Sequence, residues 1–291
     1  MILKRAYKAM LRALLQYSPT SLVTKTLLYT FHAQPLSLKG YYDLLQGLVA
    51  WVSDKMRGSR SNFECYLRKD FIVRTWDGFL LYVRPRTTDP YVIHEEVYEL
   101  ENWFKPHAKG VVVDVGAYIG TYTVRAMRTA DLVVAIEPLP VNYKVLEINI
   151  RLNDCKREAD VILINKAIAK TKGKTYIYLP VESKCIGTEI ARLEGVHKQS
   201  FMRFNVEIDT LDNMLSSLGI ERIDLMKIDI EGYVSKAFPG MIESLKKTKW
   251  LIVELWKRDL PVIHALKQLG FRLVDRHGAN FLFKNKSSNL L

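Results

Sequence analysis

The chain has 291 residues, 48% hydrophobic content and a formal net charge of +12, enough for one large domain or a domain with an appendage. A balance this basic predicts an anionic partner, whether nucleic acid, membrane surface or acidic ligand. Three scattered cysteines, Cys65, Cys155 and Cys185, with no CxxC pair, argue against a zinc ribbon or thioredoxin-like chemistry.

From the N-terminus, Ile2, Leu3, Ala6, Ala9, Met10, Ala13 and Leu14 recur at helical spacing. Lys4, Arg5, Lys8 and Arg12 fall among them, where a secretion signal would be apolar. No run approaches the roughly 18 apolar residues of a membrane span. The sparse cysteines fit a reducing compartment, so a cytoplasmic protein is expected. Residues 1–42 hold six Lys or Arg and no acid, a pattern suited to an anionic membrane surface, nucleic acid, or a helical cap with a solvated basic face. Residues 1–60 are read as this helical appendage and 61–291 as the main domain.

FIVRTW and FLLYVRP flank Asp77-Gly78 and predict a β-hairpin. HEEVYELENWF (94–104) has helical periodicity. From residue 111, apolar runs alternate with helical segments: VVVD (111–114), LVVAIE (132–137), VILINKAI (161–168), IDLMKIDI (223–230) and WLIVEL (250–255). A helix is expected after Gly120 and another over 141–153. Short, wholly apolar strands between helices indicate a parallel sheet covered on both faces. FRLVDRHGANFLFKN (271–285) turns at His277-Gly278 with too short a connection for a crossover, so its two strands must be antiparallel. The fold class is therefore α/β: a Rossmann-like, mostly parallel sheet with a C-terminal antiparallel hairpin, preceded by a helical N-terminal region.

Ligands of such sheets bind at the carboxyl ends of the strands. VVVDVGAYIGTYTVRAM (111–127) places a glycine bend there. Gly116 and Gly120 allow positive φ and close backbone approach. There is no G-x-G-x-x-G triplet for a pyrophosphate. Asp114 instead suits a ligand with an ammonium end, and Glu137 closes the second strand, where an acid can accept from ribose hydroxyls. Amino acid at one end and ribose at the other describe S-adenosylmethionine. Ala117 and Tyr118 within the bend and Pro138 after Glu137 join the candidate cofactor contacts. An ordinary strand–helix turn is the competing reading of the glycines.

The chain resembles the class I, S-adenosylmethionine-dependent methyltransferases and, within them, the FkbM-type family. The resemblance spans roughly residues 70–285 and rests on VRPRTTDPYVIHEEVY (83–98), VVDVGAYIGTYT (112–123), AIEPLPVNYKVLEINIRLN (135–153), NKAIAKTKG (165–173), IDTLDNML (208–215) and LMKIDIEGYVSKAFPGM (225–241). It implies a seven-stranded sheet, an active site at the end of the KIDIEG strand, and O-methyl transfer to small or carbohydrate-like hydroxyls. Two positions depart from the family: Tyr118 stands where Asn is common, and Tyr233-Val234 where an acid often follows the Glu-Gly pair.

A hydroxyl acceptor profits from a general base. Asp229, which also counts among the cofactor contacts, Glu231 and Glu254 are the candidates at strand ends. Asp229 and Glu231 would point apart unless the chain turns after Asp229. Lys227 shares the face of Asp229. Each acid has a structural alternative: Asp229 as a helix cap, Glu254 as the partner of a lysine. His94 is a candidate substrate-side base or a structural histidine, with Asp89 and Tyr91 at the same mouth. Asn165, Lys166 and Ala167, after the third run, are expected near the adenine, and Asp209 and Asp212 are expected to cap the helix that follows them. Asp229 and Glu254 are of the type that binds Mg²⁺, but no His-rich spacing points to a metal and none is expected. An RNA methyltransferase is the alternative that the charge favours, although no N-P-P-[FY] motif is present. A non-catalytic module of the same fold is the other.

Overall fold

Residues 33–57, 66–90, 92–93, 109–180 and 201–286 are described by the structure, a computed structural model. The chain groups into two units, 1–98 with 183–186, and 99–182 with 187–291. The 94–104 helix and residues 1–32 lie outside the described residues.

In the first unit, β1 (Ala33–Pro35), β2 (Phe71–Thr75) and β3 (Leu80–Val83) form an antiparallel sheet in that order. The expected hairpin is present. Gly78 takes φ 91, and the Thr75 hydroxyl donates to Asp77 (2.6 Å) and accepts from the Phe79 N–H (3.0 Å), which closes the turn. Helix α1 (Leu38–Met56) carries the buried Asp43, whose Oδ2 accepts the N–H groups of Arg68 (3.2 Å) and Lys69 (3.1 Å). The 1–60 stretch is thus not all helix. The hairpin is tied to α1, because β1 pairs with β2 and Asp43 holds the segment leading into β2.

The second unit is built on a seven-stranded sheet. Its strands are β4 (Val111–Val115), β5 (Leu132–Ile136), β6 (Asp160–Ile164), β10 (Ile223–Ile228), β11 (Thr248–Glu254), β12 (Phe271–His277) and β13 (Asn280–Asn285). They are ordered β12-β13-β11-β10-β4-β5-β6. The five consecutive strands β11, β10, β4, β5 and β6 run parallel, and β13 is antiparallel to both β11 and β12. Val113, Val115, Val134, Met226, Ile228, Leu251 and Phe283 are buried in one continuous core. Edge strand β12 is mostly exposed and carries a register shift between Leu273 and Asp275, a device that blunts edge pairing. Strand order reverses between β4 and β10, so their carboxyl ends form the crevice that such sheets offer to ligands.

Helix α2 (Thr123–Ala126) is a single turn, shorter than the helix expected after Gly120, because Gly120–Tyr122 remain in the bend. Helix α3 (Pro140–Leu152) starts with proline in its first turn, where the missing N–H costs nothing. VILINKAI is not one strand. It divides after Ile164, and β7 (Ala167–Ile168) joins a second sheet ordered β7-β9-β8, with β8 (Gly173–Pro180) and β9 (Phe201–Asp209). Helices α4 (Leu211–Ser217), α5 (Val234–Ala237), α6 (Ile242–Lys246) and α7 (Val262–Gln268) complete the unit.

Candidate active site

Strand β4 ends in a bend with positive φ at Gly116 (83°), Tyr118 (54°) and Gly120 (85°). The Gly116 and Ala117 N–H groups both donate to the Ile136 carbonyl of β5, at 2.9 and 3.0 Å. A Cβ on Gly116 would collide with the Asp229 carbonyl oxygen, and one on Gly120 would lie 2.5 Å from Leu146 Cδ1 of α3. Both glycines are therefore needed for close approach as well as for φ. Tyr118 bears the same left-handed φ with a side chain; Asn, the family's usual residue, tolerates that region better.

The bend is held from β5 and α3. Glu137 is buried; its Oε2 accepts the Tyr118 N–H (2.9 Å), and its Oε1 accepts from the Leu139 N–H (2.9 Å) and Asn142 Nδ2 (3.3 Å). Asn149 Nδ2 donates to the Ile119 carbonyl at 2.7 Å. Asn165 Nδ2 donates to the carbonyls of Glu137 (2.8 Å) and Pro138 (3.0 Å), so it steadies the end of β5. Lys166 instead reaches across to β9, with Nζ 3.6 Å from Glu207 Oε2 and 3.9 Å from Asp209 Oδ2. Ala167 is buried in β7 opposite Ile208.

Asp114 is completely buried. Its Oδ2 accepts the Thr123 hydroxyl at 2.5 Å, while Oδ1 has no hydrogen-bond partner among the described residues. Burial pushes its pKa up, against the Lys227 charge and the Thr123 hydrogen bond, with the Asp229 charge adding to the rise. An unpaired buried carboxylate oxygen costs roughly 1–3 kcal/mol. Such a cost at the carboxyl end of a strand is an observation that calls for a functional explanation.

Beside it stands an acidic cluster. Strand β10 stops at Ile228, and Glu231 (φ 52) and Gly232 (φ 70) both adopt left-handed backbone. That turn gathers the acids: Asp229, Glu231 and Glu254 each offer an oxygen within 4.8 Å of the others. Lys227, opposite Asp114 in the β10–β4 register, places Nζ 3.0 Å from Asp229 Oδ2 and 5.7 Å from the Tyr122 ring centre. Glu254 is pushed up to about 8, chiefly by burial, then by the Asp229 charge and the hydrogen bond it gives Asp229; Trp256 and Lys227 oppose the shift. Trp256 Nε1 donates to Glu254 Oε2 at 2.9 Å. Arg258 donates to the carbonyls of Gly232 (2.8 Å) and Glu231 (3.4 Å) and lies over the Trp256 ring, clamping the turn. Three such carboxylates are the donor type of a hard divalent cation, and the fold brings the Lys227 ammonium to Asp229 among them.

Other expected residues have partners of their own or lie outside the described residues. Asp89 is buried and forked to Arg84, with Oδ1 2.6 Å from Nη2 and Oδ2 2.9 Å from Nε, so it is an internal ion-pair partner. His94 and Tyr91 lie outside the described residues. Asp212 does not cap α4. The cap is the Thr210 hydroxyl, which accepts from the Asn213 N–H at 3.0 Å, and Asp212 takes the Ser244 N–H (2.7 Å) and hydroxyl (2.6 Å) at the start of α6. Asp209 accepts from Thr210 N–H and Asn213 Nδ2. Sequence reasoning missed Thr123, Asn142, Asn149, Trp256 and Arg258. Asn142 and Asn149 are two helical turns apart on a buried face, where amides among apolar residues are a readable signal.

The family model for the methyltransferase FkbM domain matches residues 114–273. Methyltransferase sdnD of Sordaria araneosa is 30% identical over 182 residues, covering 53% of this chain and 70% of that protein. Among solved structures, methyltransferase FkbM from Methylobacillus flagellatus KT overlays with a TM-score of 0.45 at 15% identity, over 64% of this chain. The chain spans about half, 47%, of that structure's length. The ribosomal protein L11 methylase of Lactobacillus delbrueckii subsp. bulgaricus gives a TM-score of 0.39 at 15% identity, over 68% of this chain and 80% of its own. With the family model matched from Asp114 of the bend through β10 and β11 to β12, over half of the chain, this protein belongs to the FkbM methyltransferase family.

Proposed function

We propose that this methyltransferase takes its methyl group from S-adenosylmethionine and transfers it to a hydroxyl oxygen of a small molecule or glycan. One observation carries the reading: the unpaired, buried Oδ1 of Asp114 lies in the strand whose glycine bend abuts the acid-bearing end of β10. An ammonium group supplies the donor that Oδ1 lacks. Glu137, an acid at the end of β5, stands where such sheets place a ribose-binding carboxylate. When bound, this cofactor supplies an electrophilic methyl carbon on a sulfonium. The chain's own residues position the acceptor and manage its proton. Asp229 takes the hydroxyl proton, a role worth about 10²–10⁴ in rate. Glu254 keeps its own proton near neutrality and orients Asp229 by donating to it, and Lys227 balances the charge.

Titration calorimetry of the whole chain with S-adenosylhomocysteine, beside Asp114→Asn, tests the cofactor. Micromolar binding weakened at least about tenfold in the variant is expected, since one charge-assisted hydrogen bond is worth about 1.5–3 kcal/mol. Binding that is absent from folded wild type, or unchanged in the variant, defeats the assignment. Methyl-labelled cofactor with a panel of hydroxylated acceptors then tests the substrate class. The net charge of +12 supports an RNA acceptor as the second reading. Phosphate binding weakens steeply with salt, so RNA retention at two ionic strengths separates the two.

A further inference from the structure

Helix α1 is turned the unexpected way round. An amphipathic helix normally buries its large apolar side chains and shows its small and polar ones. Here the buried face is Gly40, Asp43, Gly47 and Trp51. The two glycines let the helix approach closely: a Cβ at Gly40 would lie 2.9 Å from Pro35 Cβ, and one at Gly47 3.3 Å from Leu67 Cδ2. The opposite face carries Leu38, Tyr41, Tyr42, Leu45, Val49 and Met56, all exposed, from 42% for Tyr41 to 89% for Leu38. At 100° per residue these six positions fall within one side of the helix. The helix's charged residues Lys39, Asp43, Asp54 and Lys55 fall off that stripe by register. A 19-residue stripe runs about 28 Å at 1.5 Å per residue. Contiguous exposed apolar surface of this extent marks an interaction site.

We propose that α1 lies in the plane of an anionic lipid bilayer, with this stripe in the headgroup–acyl boundary. Charge selects the occupant. Residues 1–42, leading into and beginning the helix, hold six Lys or Arg and no Asp or Glu, and each basic group near an anionic surface adds about 1 kcal/mol. Tyr41 and Tyr42 have the apolar body and polar tip that settle at headgroup level. Among the described residues no helix is long and apolar enough to cross a membrane, so the attachment is in-plane. The proposal is independent of the cofactor and acceptor argued above.

The experiment is co-sedimentation of the whole chain with vesicles of phosphatidylcholine alone or mixed with phosphatidylglycerol. Leu45→Glu/Val49→Glu is the paired variant. Both positions are exposed, 58% and 63%, so the variant retains its fold, which its unfolding midpoint verifies. Binding to the anionic vesicles is expected, with weaker binding to neutral ones and a loss of about tenfold or more in the variant. Wild type that stays in the supernatant overturns the proposal. So does a variant that sediments like wild type, which would assign binding to the basic segment alone. Concentration-dependent dimerisation without vesicle binding, abolished by the variant, would overturn it in favour of a second copy covering the face.

Discussion

The α-carbon of Gly116 is so close to the carbonyl oxygen of Asp229 that no β-carbon fits between them. The Asp229 N–H in turn donates to the Val115 carbonyl at 2.9 Å. The glycine bend of β4 and the acidic end of β10 are thus one packed unit, and the bend and the acids of the candidate site share a wall. Gly116→Ala is expected to destabilise the second unit by more than about 3 kcal/mol, since backbone must move and φ is positive. Gly120→Ala meets only the tip of Leu146 and should cost about 1–2 kcal/mol. Urea unfolding of both variants reads the difference, and equal losses would contradict the packing described.

Glu254 provides a pH test with a definite sign. Its folded pKa, about 8, lies above the ordinary value of 4.5, chiefly through burial. Between those values the folded state binds more protons than the unfolded, so stability falls as pH rises through that window. Glu254→Gln removes the titration and can still accept from Trp256 and donate to Asp229. The variant's unfolding midpoint should overtake or approach that of wild type progressively from about pH 5 to about pH 8. A midpoint difference that is flat across this range would show that Glu254 is not held protonated by the fold.

The parallel sheet was legible because its inner strands are short, mostly apolar runs. The β8–β9 sheet was not, although GKTYIYLP alternates: Ile177 and Leu179 are buried and Tyr176 is exposed. Its pairing partner begins only at Phe201, so no local turn announces the hairpin. VILINKAI misleads because Asn165 and Lys166 look like interruptions of one strand; they are the link between two sheets. In the site, the acids were visible as residue types at strand ends. Their convergence was not, because it depends on left-handed backbone at Glu231, a non-glycine residue. Only the following Gly232 hints at it. Nor does the sequence disclose that the turn needs Arg258, which is 26 positions away from Gly232.

Arg258 should behave as a positioning residue. Its guanidinium satisfies two carbonyls of a turn with unfavourable φ and packs over Trp256. Arg258→Ala is expected to cost about 1–3 kcal/mol of stability and to lower methyl transfer, as Glu231 loses its place. Arg258→Lys restores charge but not the fork, so it should recover only part of either loss. Full recovery by lysine would mean that charge alone matters at the turn.

Asp229→Asn separates proton transfer from cofactor binding. The amide is isosteric but a poor base, so the transfer rate should drop about 10²–10⁴-fold, with S-adenosylhomocysteine affinity within a few-fold of wild type. Glu231→Gln should cost less, because Asp229 is the acid placed directly after β10 and held at 3.0 Å by Lys227. If Asp229→Asn instead abolishes cofactor binding and Glu231→Gln abolishes turnover, the roles are exchanged.

Lys227 is the group on which the electrostatics of both halves converge. It lowers the pKa of Asp114 and of Glu254 against the effect of their burial, and it is itself only 12% exposed at 3.0 Å from Asp229. Lys227→Met keeps the length of the side chain and removes the charge. The folded pKa values of Asp114 and Glu254 then rise further, so more protons must be shed by the native state as pH increases. The variant's stability deficit should therefore be larger at pH 8 than at pH 5, whereas loss of packing alone would give a deficit that does not change with pH. Breaking a buried ion pair on one side costs about 3–5 kcal/mol, and the partly exposed Asp229 carboxylate places this case below that range. The same variant removes the cation that faces Asp229 and Glu254 in the acidic cluster, so millimolar Mg²⁺ should raise its unfolding midpoint and leave wild type nearly unchanged. A deficit independent of pH and of Mg²⁺ would mean that Lys227 acts through its methylenes against Tyr122 rather than as the counter-charge of the cluster.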